Sequence, residues 1–171
     1  MRPVCAACYN RVRASKFQSF SDHFNQTMTW SFRFLDDIAV ADIAFEAQGN
    51  TVEELFSGAT RALIETLADP GTIGAVWQRE IHRSESDLSA LLFDWLSDIV
   101  YWKDAEGVVF HDAPLTVTSE AGHWTLNARL IGAPVNRAAQ ELRNDVKGVT
   151  KHLYEVNQEA ERWQARVVLD V

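Results

Sequence analysis

The chain has 171 residues, 47% hydrophobic and 23% charged, with 24 acidic residues against 16 basic ones and a net charge of −8. That size and balance suit one globular domain with a real core and exclude disorder over most of the chain. No apolar run reaches the roughly 20 residues of a membrane-spanning helix, two cysteines cannot build a disulfide framework, and the acidic surface argues against sequence-independent nucleic-acid binding, which depends on phosphate neutralisation.

The first 27 residues do not match the rest. They hold four basic residues (Arg2, Arg11, Arg13 and Lys16) and one acidic residue, Asp22, which leaves 12 basic against 23 acidic residues, or −11, in 28–171. They lack the apolar stretch of a secretory signal. We expect residues 1–27 to be a non-native or disordered N-terminal extension and 28–171 to form a single domain. Cys5 and Cys8 make a lone CxxC with no second pair at zinc-ribbon spacing, so no metal role is expected of them.

Trp30–Leu35 alternates and reads as a strand, and Val40–Gln48 as a second, with Ile43 and Phe45 on one face and Asp42 and Glu46 on the other. Gly49-Asn50 is a turn signal. Thr51-Val-Glu-Glu54 is a capping box that opens a helix running to Leu67, with Leu55, Ala59, Ala62, Leu63 and Leu67 at helical spacing. Ala75–Arg83 reads as a strand. Leu88, Leu91, Leu92, Trp95, Leu96, Ile99 and Val100 mark an amphipathic helix over 86–102, with Ser84 or Ser86 as its cap and Asp87 suited to its positive end. Val108–Ser119 and Trp124–Gly132 read as two strands around the turn at Glu120–Gly122. Pro134–Arg143 fits a short helix or a structured loop. Val146–Asn157 and Trp163–Val171 form the last antiparallel pair, joined through Gln158–Arg162. The pattern predicts an α+β fold in which two amphipathic helices pack on one face of a largely antiparallel sheet.

No phosphate-binding glycine loop, nucleophile elbow or paired-histidine zinc motif is present. Trp95, Trp102 and Trp163 are expected in the core. What remains for chemistry is acidic. Asp36, Asp37 and Asp42 lie near the second strand, and Asp170 is penultimate, beside the carboxylate expected at Val171. Carboxylates held on strands suit hard divalent cations, which take oxygen ligands. If the two strands are neighbours, Asp42, Asp170 and Val171 could share one ion. Lys147 and His152 lie on one late strand. Five residues apart, they fall on opposite faces of a regular strand, so a joint role would need a bulge.

From Phe32 to Val171 the order of segments resembles the archease family. Ala41-Asp42-Ile43 matches the middle of that family's His-Thr-Ala-Asp-Ile/Val-Gly segment, and Gly49-Asn-Thr51-Val-Glu53-Glu54 matches its helix start. Asp87-Leu88, Leu91-Leu92, Asp94-Trp95-Leu96 and Tyr101 match its second helix, and Glu106-Gly107-Val108 the turn that follows. Asp145-Val-Lys147-Gly-Val149-Thr150-Lys-His152 matches its late strand, and Trp163-Gln-Ala165-Arg166 with Leu169-Asp170-Val171 its end. The chain departs from the family at Ala39-Val40, where the family has His-Thr, and at Lys151, where it has Tyr.

The resemblance implies a cytoplasmic protein that is not itself an enzyme. It would activate an RtcB-type RNA ligase in tRNA splicing or RNA repair, promoting guanylylation and multiple turnover. It implies a divalent metal site at Asp42, Asp170 and Val171, with calcium in the family and magnesium or manganese as alternatives, and a functional Lys147. The partner would be the ligase, with no direct sequence-specific nucleic-acid contact and no membrane. The alternatives are a chaperone-like modulator of another RNA-modifying enzyme, such as a tRNA methyltransferase, and a metal-dependent hydrolase, for which no base or nucleophile is in view.

Overall fold

The computed structural model describes residues 29–35 and 42–171. The expectations for residues 1–27, for Cys5 and Cys8, and for Asp36, Asp37, Ala39 and Val40 lie outside those residues.

Strand β1 (Ser31–Phe34) pairs antiparallel with β2 (Ile43–Gly49). Helix α1 (Val52–Leu67) follows, and its capping box forms as the sequence predicts. The Thr51 side chain accepts from the Glu54 amide at 3.1 Å, and Glu54 accepts from the Asn50 amide at 2.7 Å and the Thr51 amide at 3.4 Å. A hydrogen bond from Thr29 holds the Glu54 carboxyl below its usual range, against the small opposing effect of burial. A 3-10 turn at Pro70–Thr72 leads into β3 (Trp77–Glu85).

Helix α2 (Leu88–Glu106) is capped by Asp87 itself, whose carboxylate accepts from the Ala90 amide at 2.9 Å. Neither Ser84 nor Ser86 takes that place, because β3 runs through Ser84 to Glu85. The helix ends at Gly107, whose left-handed φ of 61° suits a residue without a Cβ.

The expected Val108–Ser119 strand is two strands, β4 (Val108–Asp112) and β5 (Leu115–Glu120), both paired along the same side of β6 (His123–Pro134). Pro114 has no amide to donate to the ladder, and the break falls there. The β5–β6 hairpin turns on Ala121 and Gly122, both at positive φ, as a type I′ turn demands. Residues 135–143 form a structured loop without a helix, tied to α1 by a bridge between Ala68 and Leu142. The chain closes with β7 (Gly148–Glu159) and β8 (Arg162–Asp170).

The fold is α+β and antiparallel, as predicted, but the strands divide into two sheets. One has the order β1-β2-β8-β7. The other has the order β3-β6-β4, with β5 also on β6. Alternation along a strand says which face is buried and not which sheet the strand joins. Helix α1 touches strands of both sheets, and so does α2. The predicted apolar stripe of α2 is buried throughout, from Leu88 to Val100, in one core with Phe45, Phe56, Leu63, Phe110, Leu126 and Val167. Trp95 is fully enclosed and its indole donates to Thr60 at 2.7 Å. Trp163 and Trp102 are partly buried against the same core, and the Arg79 guanidinium lies 4.1 Å from the Trp102 ring centre.

Candidate functional site

Three strands of the first sheet end together. In the β2–β8 ladder Ile43 faces Leu169, so Asp42 and Asp170 leave that ladder at the same end, on adjoining strands. In the β7–β8 ladder Gly148 faces Asp170, which brings Lys147 to that end as well. The Lys147 amide donates to the Asp170 carbonyl at 2.8 Å, and its ammonium donates to the Val171 main-chain oxygen at 2.9 Å. Asp42 and Val171 are half-buried, whereas Asp170 and Lys147 are exposed. A cleft of about 380 Å³ adjoins, with Phe34, Asp42, Glu65, Arg143 and Asn144 in its walls.

His152 is not part of this end. Strand β7 carries an irregularity between Thr150 and Glu155, where five residue steps match only two on β8, from Val168 to Arg166. The bulge that a joint role with Lys147 would need is thus present, and His152 sits inside it, exposed. The bulge is held to α2 from both flanks. Tyr154 donates to the Ser89 carbonyl at 2.7 Å and packs edge-on against Phe93, while the Lys151 ammonium lies 5.3 Å from the Phe93 ring centre. Burial pushes the Tyr154 phenol above its usual range, with the Ser89 hydrogen bond opposing. Leu153 takes a left-handed φ of 54° and is exposed.

The segment that delivers Lys147 was not legible in the sequence. The amides of Arg143 and Asn144 donate to the carbonyls of Leu67 and Thr66 at 2.9 and 3.1 Å. The side chains of the same two residues donate to Glu65 and Thr66 at 2.9 and 3.1 Å. These bonds satisfy the carbonyls that the last turn of α1 leaves open, a turn that has no basic residue of its own. Asp145 then meets Lys103 of α2 at 2.6 Å.

The candidate ligands at this end are all oxygen, two carboxylates and the Val171 main-chain oxygen, which is the chemistry of a hard divalent cation. Among the described residues no three His, Cys, Asp or Glu side chains gather as a metal cluster. Any cation held here would therefore rely on Val171 as well as on Asp42 and Asp170. It would share the Val171 oxygen with the Lys147 ammonium or displace it.

Taken together these features define a small α+β domain of two antiparallel sheets, with a polar, carboxylate-bearing end where β2, β7 and β8 finish. Residues 32–171 match the Archease protein family (MTH1598/TM1083). The protein archease of Methanosarcina barkeri is 31% identical over 141 residues, covering 82% of this chain and 95% of that one. That of Methanothermobacter thermautotrophicus is 30% identical over 140 residues, covering 82% and 98%. The solution structure of Methanobacterium thermoautotrophicum protein 1598 superposes with a TM-score of 0.70 at 28% identity, over 84% of this chain and 99% of that one. A crystal structure from Thermotoga maritima, described as an archease and possible chaperone, shares the fold at 23% identity and a TM-score of 0.53. The chain belongs to the archease family.

Proposed function

We propose that this protein is a divalent-cation-binding activator of an RtcB-type RNA ligase, acting in tRNA splicing or RNA repair without catalysing the ligation itself. The observation that carries the reading is the convergence of Asp42, Asp170, Val171 and Lys147 where three strands of one sheet end. Family membership supports it. Asp42, Asp170 and Val171 would hold the cation, calcium by family resemblance and magnesium or manganese otherwise. When bound, the ion would supply a concentrated positive charge able to order or neutralise a phosphate or carboxylate of the partner. Lys147 would hold the Val171 main-chain oxygen in place beside the two aspartates.

The test is a single-turnover guanylylation assay of an RtcB-type ligase with GTP and manganese, with and without this protein. Acceleration of ligase guanylylation, together with restored multiple turnover, is the expected result. No change in either quantity, with a ligase shown to be active alone, would overturn the reading.

A further inference from the structure

We propose that Lys103 is a positioning residue for this end of the molecule, setting Lys147 and Val171 through its ion pair with Asp145. The inference rests on the site reading above for its metal arm only. Lys103 stands in the last turn of α2 and is 9% exposed. Its ammonium meets Asp145 at 2.6 Å and Asp104 at 2.7 Å. Burial opposes the charge, but the hydrogen bonds to the two aspartates outweigh it and raise the lysine above its ordinary value. The Lys103 ammonium likewise holds the Asp145 carboxyl below its own.

The placement of the pair in the chain is what matters. Arg143 and Asn144 are fixed to α1 by backbone and side-chain hydrogen bonds, and Lys147 is fixed to β8. Between them stand Asp145, whose carboxylate is 85% exposed, and Val146, which is wholly buried. Among the described residues, the only hydrogen bond or ion pair to a side chain of these two residues is that of Asp145 with Lys103 of α2. Two residues further on, the Lys147 ammonium meets Val171. A rigid helix end is thus connected to Val171 by an ion pair and a hydrogen bond that start two positions apart, at Asp145 and Lys147. Residues that orient a ligand set in this way typically cost 10–100-fold in metal affinity when removed.

Three variants separate positioning from general support. Lys103→Met keeps the buried stem and removes the charge. Asp145→Asn changes an exposed group that the fold does not need. Asp104→Asn removes the partner that lies on α2 itself and leaves the link to Lys147. Amide hydrogen exchange at Lys147 should quicken about tenfold in the first two, the loss expected of one charge-assisted hydrogen bond. Amides of the β2–β8 ladder around Phe45 and Val167 should not change, nor should Lys147 in Asp104→Asn. Lys103→Arg should restore Lys147 protection. Calcium affinity by calorimetry should fall about tenfold in Lys103→Met and Asp145→Asn together with the exchange effect. Unchanged Lys147 exchange in Asp145→Asn would overturn the inference, and so would an equal loss of protection at Lys147 and in the ladder. If the wild-type protein binds no calcium, the cation reading fails while the exchange comparison still decides the role of Lys103.

Discussion

Single residues at the end of the first sheet divide by what they can be replaced with. Asp42 and Asp170 offer nothing to the core, since one is half-buried and the other exposed. Asp42→Ala and Asp170→Ala should therefore leave thermal stability unchanged and, on the proposed cation and ligase reading, abolish stimulation of the ligase, because a cation that loses a carboxylate is under-coordinated. Wild-type stimulation by both variants would remove the carboxylates from the mechanism. Val171 makes a different kind of test. Its main-chain oxygen already draws the Lys147 ammonium to 2.9 Å. Residues added after Val171 would crowd that oxygen and compete with any cation for the space beside Asp42 and Asp170. Calcium affinity should fall relative to a protein extended at its N-terminus, and equal affinities would exclude the Val171 oxygen as a ligand. Asp42 and Asp170 stood out in the sequence because carboxylates beside apolar strand residues are conspicuous, and the ladder brings both to one end of adjoining strands. Lys103, Arg143 and Asn144 were not, because their partners lie 42 to 78 residues away and no local pattern encodes such pairings.

Elements were read with unequal success, for physical reasons. Both helices were predictable because each carries its own signal, a capping box in α1 and an unbroken apolar stripe in α2. Trp95 is fully buried on that stripe and its indole is satisfied by Thr60. Leu92→Ala and Trp95→Ala should each cost roughly 2–5 kcal/mol in denaturant unfolding, since removing a large buried side chain leaves a cavity. A Trp95→Ala protein that stays as stable as the wild type but fails to stimulate the ligase would show that the helix serves the partner instead of the core. The strands were harder to place. The break at Pro114 depends on a single missing amide, and the division into two sheets depends on pairings between distant segments. Strand β6 shows how finely such pairing is set. A Cβ on Gly132 would lie 2.1 Å from the Val109 carbonyl oxygen, across the irregularity between Phe110 and Asp112. Backbone cannot yield there as a flexible side chain would. Gly132→Ala should separate β4 from β6 and lower the midpoint of thermal unfolding by several degrees, and an unchanged midpoint would show that the two strands can slide apart freely.

For the whole molecule the deciding quantity is charge. The chain carries −8 overall, and no described helix is long and apolar enough to cross a membrane. The described ion pairs neutralise many of the acidic groups locally, among them Glu46 with Arg33, Asp98 with Arg83 and Glu80 with Arg129, but they cannot alter the net excess. An excess of one sign acts at long range. It raises the rate at which a basic partner arrives more than it lengthens the stay, because short contacts govern release. On the ligase reading, association should therefore be fast at low salt. It should slow by about tenfold between roughly 0.05 and 0.5 M salt, as the screening length shrinks from more than 10 Å to a few ångströms. Dissociation should change far less, since the short contacts that hold a docked partner act over about 3 Å and escape most of the screening. Surface-immobilised ligase with this protein in solution gives both rates directly. An association rate indifferent to salt would mean that the acidic excess plays no part in docking, and the partner surface would then have to be sought among apolar contacts such as Phe34, beside the cleft at Asp42.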